Sequence, residues 1–209
     1  LVIVFFTNIK HLNHINFLYI MKDEVIRQIN ESCEVKQKVA DQLSDKIRET
    51  ADLVVKTFGS CNKVMLCGNG GSAAQCQHIA DEFINKYKKQ RKALPAISLT
   101  TDTSNLTAIG NDINFNAIFS KQIEALGNEG DLLFALSTSG NSKNVLQAID
   151  EAKKKGMKII GLTGESGGEM ADKCDILLNV PSKDTGRIQE SHITILHIIC
   201  DIVEMTMFP

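Results

Sequence analysis

Residues 22–58 carry a repeating hydrophobic pattern that is typical of one long amphipathic helix. Apolar side chains recur about every 3.6 residues without an interrupting Gly or Pro, at Val25, Ile29, Val35, Val39, Leu43, Ile47, Leu53 and Val54. Gly59 follows this run, at a position where helices commonly end. The pattern therefore predicts a long N-terminal helix over Lys22–Phe58, ahead of the first strand.

Beyond Gly59, short apolar runs alternate with helical patterns. The runs predict five strands, at Lys63–Cys67, Ala96–Leu99, Asp131–Leu136, Lys158–Leu162 and Asp175–Val180. The predicted helices lie between and after them, at about Ser72–Lys88, within Thr100–Asn111, at Asn116–Leu126, at Lys143–Lys155, just after Gly168 and at Asp184–Met207. Strands that are apolar throughout are typical of a parallel sheet buried on both faces, so we expect an α/β three-layer sandwich.

The composition fits a single globular domain. The 209 residues are 43% hydrophobic and 23% charged, and the formal net charge of −2 gives no reason to expect nucleic acid or a membrane as a partner. The Lys-rich stretches 86–92 and 153–155 are interpreted as solvated helix ends, where the helix dipole favours cations. The six cysteines form no CxxC pair, which favours reduced thiols in a cytoplasmic protein over a disulfide framework.

The first twenty residues differ from the rest of the chain. Asn, His and Lys break their apolar run, which is shorter than the roughly 18 residues that a membrane span needs, and no signal-peptide cleavage pattern follows. Met21 resembles a natural start. We therefore expect residues 1–20 to be a non-functional N-terminal extension and residues 21–209 to form one domain.

Two predicted strands end in turns rich in small polar residues, Gly68–Ser72 and Ser137–Ser142. In a parallel sheet the carboxyl ends of the strands lie at one edge, where ligands bind. Backbone N–H groups, hydroxyls and a helix N-terminus suit a phosphate monoester, especially at the second turn. The same residues are also ordinary helix-capping chemistry, so a purely structural turn stays open.

The first turn does not match a nucleotide-binding loop. Ala73 stands where the last glycine of G-x-G-x-x-G would be, and the lysine of a P-loop is missing. An acidic residue about twenty positions later, which would bind a ribose, is not evident either. A sugar phosphate is therefore the favoured ligand.

His78 and Glu82 lie four residues apart on the helix predicted after the first turn. This spacing puts both side chains on one helix face, which Asp81 does not share. A histidine and a carboxylate so placed can bind Zn²⁺ or divide acid–base work between them. A simple surface hydrogen bond is the alternative.

The last predicted helix carries Gln189, His192 and His197 in an otherwise apolar segment. A histidine in such a segment is often a core residue whose ring is hydrogen-bonded. Gln189 and His197 are separated by about 12 Å along the helix axis, so they could share one metal only if both side chains stretch toward the midpoint. Otherwise they act in separate positions or across a subunit interface.

Four segments together resemble the phosphoheptose isomerases of the sugar isomerase (SIS) domain superfamily. They are CGNGGSAAQCQHIADEF, AIGNDINFNAIFSKQIEALGNEGDLLFALSTSGNSKNV, GMKIIGLTGESGG and GRIQESHITILHIICDIVE, and the resemblance extends from Met21 to Phe208. The serine-rich turn is shared by SIS domains in general. The combination of GNGGS, the His78 and Glu82 pair, GND and RIQE is more specific.

The resemblance implies a five-stranded parallel sheet of the flavodoxin-like or Rossmann-like kind, a homotetramer, and active sites in clefts between subunits. It implies substrate contacts at Asn69, Gly70, Gly71, Ser72, Glu82, Asn111, Asp112, Ser137, Thr138, Ser139, Ser142 and Gln189. It implies one Zn²⁺ per subunit at His78, Glu82, Gln189 and His197. Some members carry Asp where this chain has Gly186, so any role of that Asp is unneeded here or falls to Asp184.

The implied activity is the reversible conversion of D-sedoheptulose 7-phosphate to D-glycero-D-manno-heptose 7-phosphate, the first step toward ADP-heptose or GDP-heptose for lipopolysaccharide or capsule. Glu82 is expected to be the base of an enediol mechanism and His197 its acid partner, while the zinc polarises the carbonyl group. A residue bound tightly to zinc is a poorer base, so either the metal is mainly organising or its ligation loosens during turnover.

Two other functions are compatible with the same scaffold. A replication-initiator-associating protein resembles this chain over most of its length, but that group has residues without acid–base function at the positions of Glu82 and His197. A sugar-phosphate-sensing regulator would need a DNA-binding partner domain, and residues 1–58 show no helix-turn-helix pattern. The isomerase is therefore the favoured interpretation.

Overall fold

The structure, a computed structural model, describes residues 14–209, with side chains from Met21 onward. The described residues form six α-helices, at His14–Gly59 (α1), Gly71–Ile84 (α2), Thr103–Asp112 (α3), Ser120–Leu126 (α4), Lys143–Lys154 (α5) and Thr185–Met207 (α6). They also form five strands, at Val64–Gly68 (β1), Ala96–Ser98 (β2), Leu132–Leu136 (β3), Lys158–Thr163 (β4) and Ile176–Asn179 (β5). Short 3-10 turns occur at Phe115–Ala117 and Gly168–Met170.

The five strands form one parallel sheet in the order β2-β1-β3-β4-β5. The side chains of the central strands alternate between two hydrophobic cores. In β1, Val64 and Leu66 face the core formed with α1, α2 and α6, whereas Met65 and Cys67 face the core formed with α4 and α5. The predicted three-layer sandwich with a five-stranded parallel sheet is confirmed.

Helix α1 is buried along one stripe only. Val35, Val39, Leu43 and Ile47 are each less than a tenth exposed, because their spacing directs them onto α6 and the sheet. The helix begins at His14, earlier than the predicted Lys22. The predicted extension therefore falls partly on the start of α1 and partly on residues 1–13, which lie outside the described residues, and it stays a prediction.

Helix α2 is shorter than predicted, and the reason lies in the segment that follows it. The helix ends at Ile84 rather than near Lys88. Residues 87–89 instead donate three backbone N–H groups to the buried carboxylate of Glu204. The interpretation of stretch 86–92 as a solvated helix end is therefore wrong, since the segment is a loop anchored to α6.

Other boundaries differ by smaller amounts. The predicted helix Asn116–Leu126 is divided into the turn Phe115–Ala117 and α4, and Asn114 caps the turn through its side-chain oxygen. The six cysteines all lie in the described part of the chain, and no disulfide joins them there. Among residues 14–209, no helix has the apolar length that a bilayer crossing requires.

Candidate functional site

The two polar turns lie side by side at one edge of the sheet. Strands β1 and β3 are neighbours, and Gly68 pairs with Leu136 at their carboxyl ends. From there β1 leads into α2 and β3 leads through Ser137–Ser142 into α5. Two helix N-termini therefore meet the same edge, and their free N–H groups and positive dipole ends favour an anion there.

The hydroxyl groups of the second turn are grouped together. Ser137 Oγ lies 2.9 Å from Ser142 Oγ and 3.5 Å from Ser139 Oγ, and Thr138 between them is half-buried. Ser142 is the N-cap residue of α5, yet its side chain makes no capping hydrogen bond. Because this hydroxyl is not used to cap the helix, the arrangement favours the phosphate interpretation over the purely structural one.

Gly140 gives this turn its tight shape. Its φ is +69°, and a Cβ at this position would collide with the backbone carbonyl of Gly167. The Gly140 N–H donates to the Ser137 carbonyl at 3.0 Å, and the Gly140 carbonyl accepts from the Met170 N–H at 3.1 Å. The loop after β4 therefore braces the turn from outside.

The first turn touches α6 at Gln189. A Cβ added to Gly71 would lie 2.7 Å from Gln189 Oε1, so the absence of a side chain lets the amide approach the N-terminus of α2. Gln75 fixes the backbone there by donating to the Gln189 carbonyl at 2.7 Å. Gly70 is the N-cap residue of α2, and Ser72 is buried beneath the turn. The predicted substrate contacts Gly70, Gly71 and Gln189 are thus brought together.

Asn69 is held by a residue that the sequence analysis missed. Its side-chain amide exchanges two hydrogen bonds with the amide of buried Asn144, at 2.9 and 2.8 Å. The Asn144 oxygen also accepts from the Val145 N–H at 3.0 Å. This pair ties the first turn to the start of α5. In the sequence, an Asn on the first turn of a predicted helix is a weak signal for such a contact.

Asn111 and Asp112 lie at the C-terminal end of α3. Both are exposed, and the Asn111 amide donates to Asp112 Oδ1 at 2.8 Å. Their side chains bond to each other, so their predicted contact with the sugar rests on the family resemblance alone.

His78, Glu82 and His197 converge into one cluster. His78 Nε2 lies 3.4 Å from Glu82 Oε1 on α2 and 2.9 Å from His197 Nε2 on α6. Single candidate ligand atoms of the three residues all lie within 4.8 Å of one another. The helical spacing predicts the pairing of His78 with Glu82, whereas the packing of α6 against α2 supplies His197.

Surroundings lower the pKa of His197. Partial burial disfavours the charged imidazolium, and the neighbouring His78 has the same effect, while Glu82 opposes both. His197 is therefore poised as a neutral imidazole at neutral pH. A neutral imidazole can both accept a proton and donate one, which suits proton exchange with sugar hydroxyl groups.

The donor chemistry of the cluster fits a zinc ion. Two imidazole nitrogens and one carboxylate oxygen are common Zn²⁺ ligands, and here they face one point from two helices. Catalytic zinc sites commonly use three protein ligands and leave a further position for water or substrate. Gln189, the fourth predicted ligand, is two helical turns before His197 on α6 and lies against Gly71.

Comparison with known proteins supports this picture at the level of the whole chain. The SIS domain family matches residues 28–164. A phosphoheptose isomerase of Clostridium acetobutylicum is 50% identical over 190 residues, which cover 90% of this chain and 97% of that protein.

Solved structures agree. A phosphoheptose isomerase from Neisseria gonorrhoeae is 43% identical with a TM-score of 0.85, and the match covers 88% of this chain and 99% of that chain. One from Francisella tularensis is 40% identical with a TM-score of 0.86, and the match covers 88% of this chain and 98% of that chain. This chain belongs to the phosphoheptose isomerase family. The family prediction is confirmed, and with it the interpretation of the chain as an isomerase.

Two residues near the RIQE segment of this isomerase have structural roles. Asp184 caps α6, since its Oδ1 accepts the Arg187 N–H at 2.9 Å, and Gly186 follows it on the exposed first turn. His192 is fully buried, and its Nε2 lies 3.1 Å from the Thr163 carbonyl. His192 is therefore a core residue with a hydrogen-bonded ring, as predicted for a histidine in this apolar segment. Its burial lowers its pKa to about 4.

The loop after α2 adds two residues to the site of this isomerase that the sequence does not predict there, and α6 adds a third. Tyr87 stacks on His197, Arg91 donates to the Glu82 carbonyl, and Glu204 receives the backbone of the loop. The contacts of Tyr87 with His197 and with Glu204 join residues more than 100 positions apart. The local charge run gives no signal for them.

Proposed function

We propose that the protein interconverts D-sedoheptulose 7-phosphate and D-glycero-D-manno-heptose 7-phosphate. The observation that carries the proposal is the cluster of His78, Glu82 and His197, in which His78 and Glu82 lie on the helix that starts at the carboxyl edge of the sheet and His197 lies on α6. His78 is seven residues after Gly71, or about 10 Å along α2. An extended sugar phosphate can therefore place its phosphate at the turns and its reacting carbons at the cluster.

The phosphate end is proposed to bind at Ser137, Thr138, Ser139 and Ser142. Their hydroxyls and the N-terminus of α5 supply donors to a dianion. The glycines of the first turn, with Asn69, Ser72 and Gln189, and with Asn111 and Asp112, are proposed to contact the polyol. Binding of these non-reacting parts positions carbons 1 and 2 at the acid–base pair.

Glu82 and His197 are proposed to move the protons. The Glu82 carboxylate takes a proton from carbon 1 of the ketose, the freed electron pair forms the C1–C2 double bond, and the π pair of the C2 carbonyl moves onto its oxygen to give a cis-enediolate. His197, as a neutral imidazole, passes the proton of the C1 hydroxyl to the oxygen of C2. Glu82 then returns its proton to carbon 2, which completes the aldose without net gain or loss of protons.

A Zn²⁺ ion held by His78, Glu82, Gln189 and His197 is part of the proposal. When bound, it would polarise the carbonyl group and stabilise the negative oxygen of the enediolate. The cluster geometry supports three of these ligands, and Gln189 is carried over from the family pattern. The chain's own contribution is to orient the carboxylate and both imidazoles toward one point.

A cytoplasmic homotetramer that serves lipopolysaccharide or capsule synthesis completes the proposal. Exposed apolar side chains on α1 and α6 support self-association, and among them Val25 and Ile29 are each more than half exposed. Ile198 and Met205 on α6 are further examples. Exposed apolar surface of this kind commonly marks an interaction site.

The direct test incubates the purified protein with D-sedoheptulose 7-phosphate and identifies the product by NMR. We expect the aldose 7-phosphate, and in D₂O we expect solvent deuterium at carbon 2 to the extent that the proton on Glu82 exchanges before it is returned. A parallel binding experiment uses a replication initiator protein. Initiator binding without any heptose product would reverse the choice in favour of the non-catalytic interpretation.

A further inference from the structure

The ring of Tyr87 stacks on the ring of His197. Their centroids are 5.5 Å apart and the planes differ by 28°, which is an offset stacking geometry. The same imidazole meets His78 edge-on, with centroids 5.1 Å apart and planes at 68°. His197 therefore touches aromatic groups from two different segments, one within α2 and one in the loop that follows it.

Tyr87 is itself held by helix α6. Its backbone N–H donates to Glu204 Oε2 at 3.0 Å, and the N–H groups of Lys88 and Lys89 donate to Glu204 Oε1 at 2.7 and 2.6 Å. Glu204 is seven residues after His197, so the two lie on the same face of α6, two turns apart. The carboxylate therefore fixes Tyr87 relative to the helix that carries His197.

The side chain of Lys88 adds a second tether. Its Nζ lies 5.1 Å from the centroid of the Tyr87 ring and 2.7 Å from Asp201 Oδ2. Asp201 also belongs to α6. The ring is thus positioned through its own backbone and through the neighbouring side chain.

Arg91 links the same loop to the other half of the acid–base pair. Its Nε donates to Glu204 Oε2 at 3.0 Å, while its terminal nitrogens donate to the carbonyl of Glu82 at 2.6 Å and to that of Phe83 at 2.7 Å. These carbonyls belong to the last turn of α2, where no intrahelical donor remains for them. One loop therefore holds both Glu82 and His197 in place.

We propose that Tyr87 is a positioning residue that fixes the direction of the His197 imidazole toward His78 and Glu82. Without the Tyr87 ring, His197 would lose the flat surface on its half-exposed side and would occupy further staggered side-chain conformations. Proton transfer depends on reacting atoms within hydrogen-bond reach, so a ring that samples other directions reacts less often. The expected effect on kcat rests on the proposed function, whereas the expected effect on the orientation of the His197 ring does not.

The test compares Tyr87→Ala with Tyr87→Phe, which keeps the stacked ring. For Tyr87→Ala we expect kcat to fall about tenfold while KM stays within about twofold, because the phosphate and polyol contacts are untouched. We expect Tyr87→Phe to keep kcat within about twofold of the wild type. Crystal structures of both variants should show one His197 conformer in Tyr87→Phe and more than one in Tyr87→Ala.

Phe208→Ala is the matched control. Phe208 packs against Arg91, with the guanidinium carbon 5.6 Å from its ring centroid, and its removal loosens the same loop while Tyr87 stays in place. If Phe208→Ala loses as much kcat as Tyr87→Ala, the effect is general loosening and the proposal is wrong. It is also wrong if Tyr87→Phe loses as much as Tyr87→Ala, since the hydroxyl rather than the ring would then matter.

The outcome for the wild type separates this inference from the proposed function. A wild-type protein that does not isomerise the sugar phosphate contradicts the function, while the crystal structures still decide the role of Tyr87. An active wild type and a Tyr87→Ala variant with a single, unchanged His197 conformer and full kcat would contradict only the positioning role.

Discussion

Asn144 and Glu204 are buried polar residues, and each uses its hydrogen bonds to hold a loop of the site. Asn144 bonds the side chain of Asn69 and the N-terminus of α5, and Glu204 bonds three backbone N–H groups and Arg91. A buried polar group is costly unless its partners are present, so these side chains restrict their loops to one conformation. The residues that are proposed to contact the sugar are thus placed by buried residues that are not.

Gly71 is where a single methyl group is predicted to disturb the site without disturbing the fold. In Gly71→Ala the new Cβ would meet the end of the flexible Gln189 side chain, which can move aside. We expect a folded protein whose kcat/KM falls about tenfold or more, since small displacements of contact groups are costly. Gly59→Ala is the control, because a Cβ there meets nothing within 4 Å. Equal activity of the two variants would contradict the assigned role of Gln189.

His192 is predicted to make stability depend on pH. Its pKa is lowered by burial from 6.5 to about 4 in the folded state, so between these values the unfolded chain binds more protons. The contribution of the neutral His192 ring to the free energy of unfolding is fully present above pH 6.5. It is lost as the pH falls toward 4, by at most about 1.4 kcal/mol per pH unit. Urea unfolding at several pH values should show a flatter profile for His192→Gln. Parallel profiles for the variant and the wild type would contradict this account.

At the scale of elements, α2, the loop after it and α6 act as one unit. Glu204 and Arg91 are both almost fully buried, and their ion pair at 3.0 Å sits between the two helices. Burial alone would raise the pKa of Glu204, but the N–H groups of residues 87–89 and the guanidinium outweigh it and the pKa is lowered. The carboxylate is therefore charged at neutral pH and fully paired.

Glu204→Gln is expected to destabilise this unit. The substitution leaves the buried guanidinium without its charge partner, and breaking a buried pair in this way costs roughly 3–5 kcal/mol of unfolding free energy. Chemical denaturation measures the loss. Asp201→Asn removes the exposed pair with Lys88 on the same helix and should change the midpoint little. A Glu204→Gln variant as stable as Asp201→Asn would show that the buried network is not stabilising.

At the scale of the whole molecule, local sequence patterns predict the sheet but only part of the site. The apolar runs predict the five strands, and the four-residue spacing predicts that His78 and Glu82 share a face. His197 joins them only because α6 packs beside α2. Residues 86–92 form a loop rather than a helix end because they bond to Glu204, which follows them by more than 100 positions. Contacts of that sequence separation leave no periodic signal in either segment.

Self-association is a testable property of the whole molecule. The proposed interface includes Val25 and Ile29, both exposed on α1. Light scattering after size exclusion should give four times the mass of the chain, and Val25→Glu combined with Ile29→Glu should give a smaller species. Leu126→Glu, at an exposed apolar position on the opposite layer, serves as the control. A monomeric wild type would contradict the proposed tetramer.

The central claim is that Glu82 transfers the proton between carbons 1 and 2. The most direct measurement is the isomerisation rate of Glu82→Gln, alongside His197→Asn, with substrate binding followed by calorimetry. Glutamine keeps the size of the side chain but cannot accept the proton, so kcat should fall by about a hundredfold or more while the sugar phosphate still binds to a folded protein. A Glu82→Gln variant that isomerises sedoheptulose 7-phosphate at the wild-type rate would contradict the account.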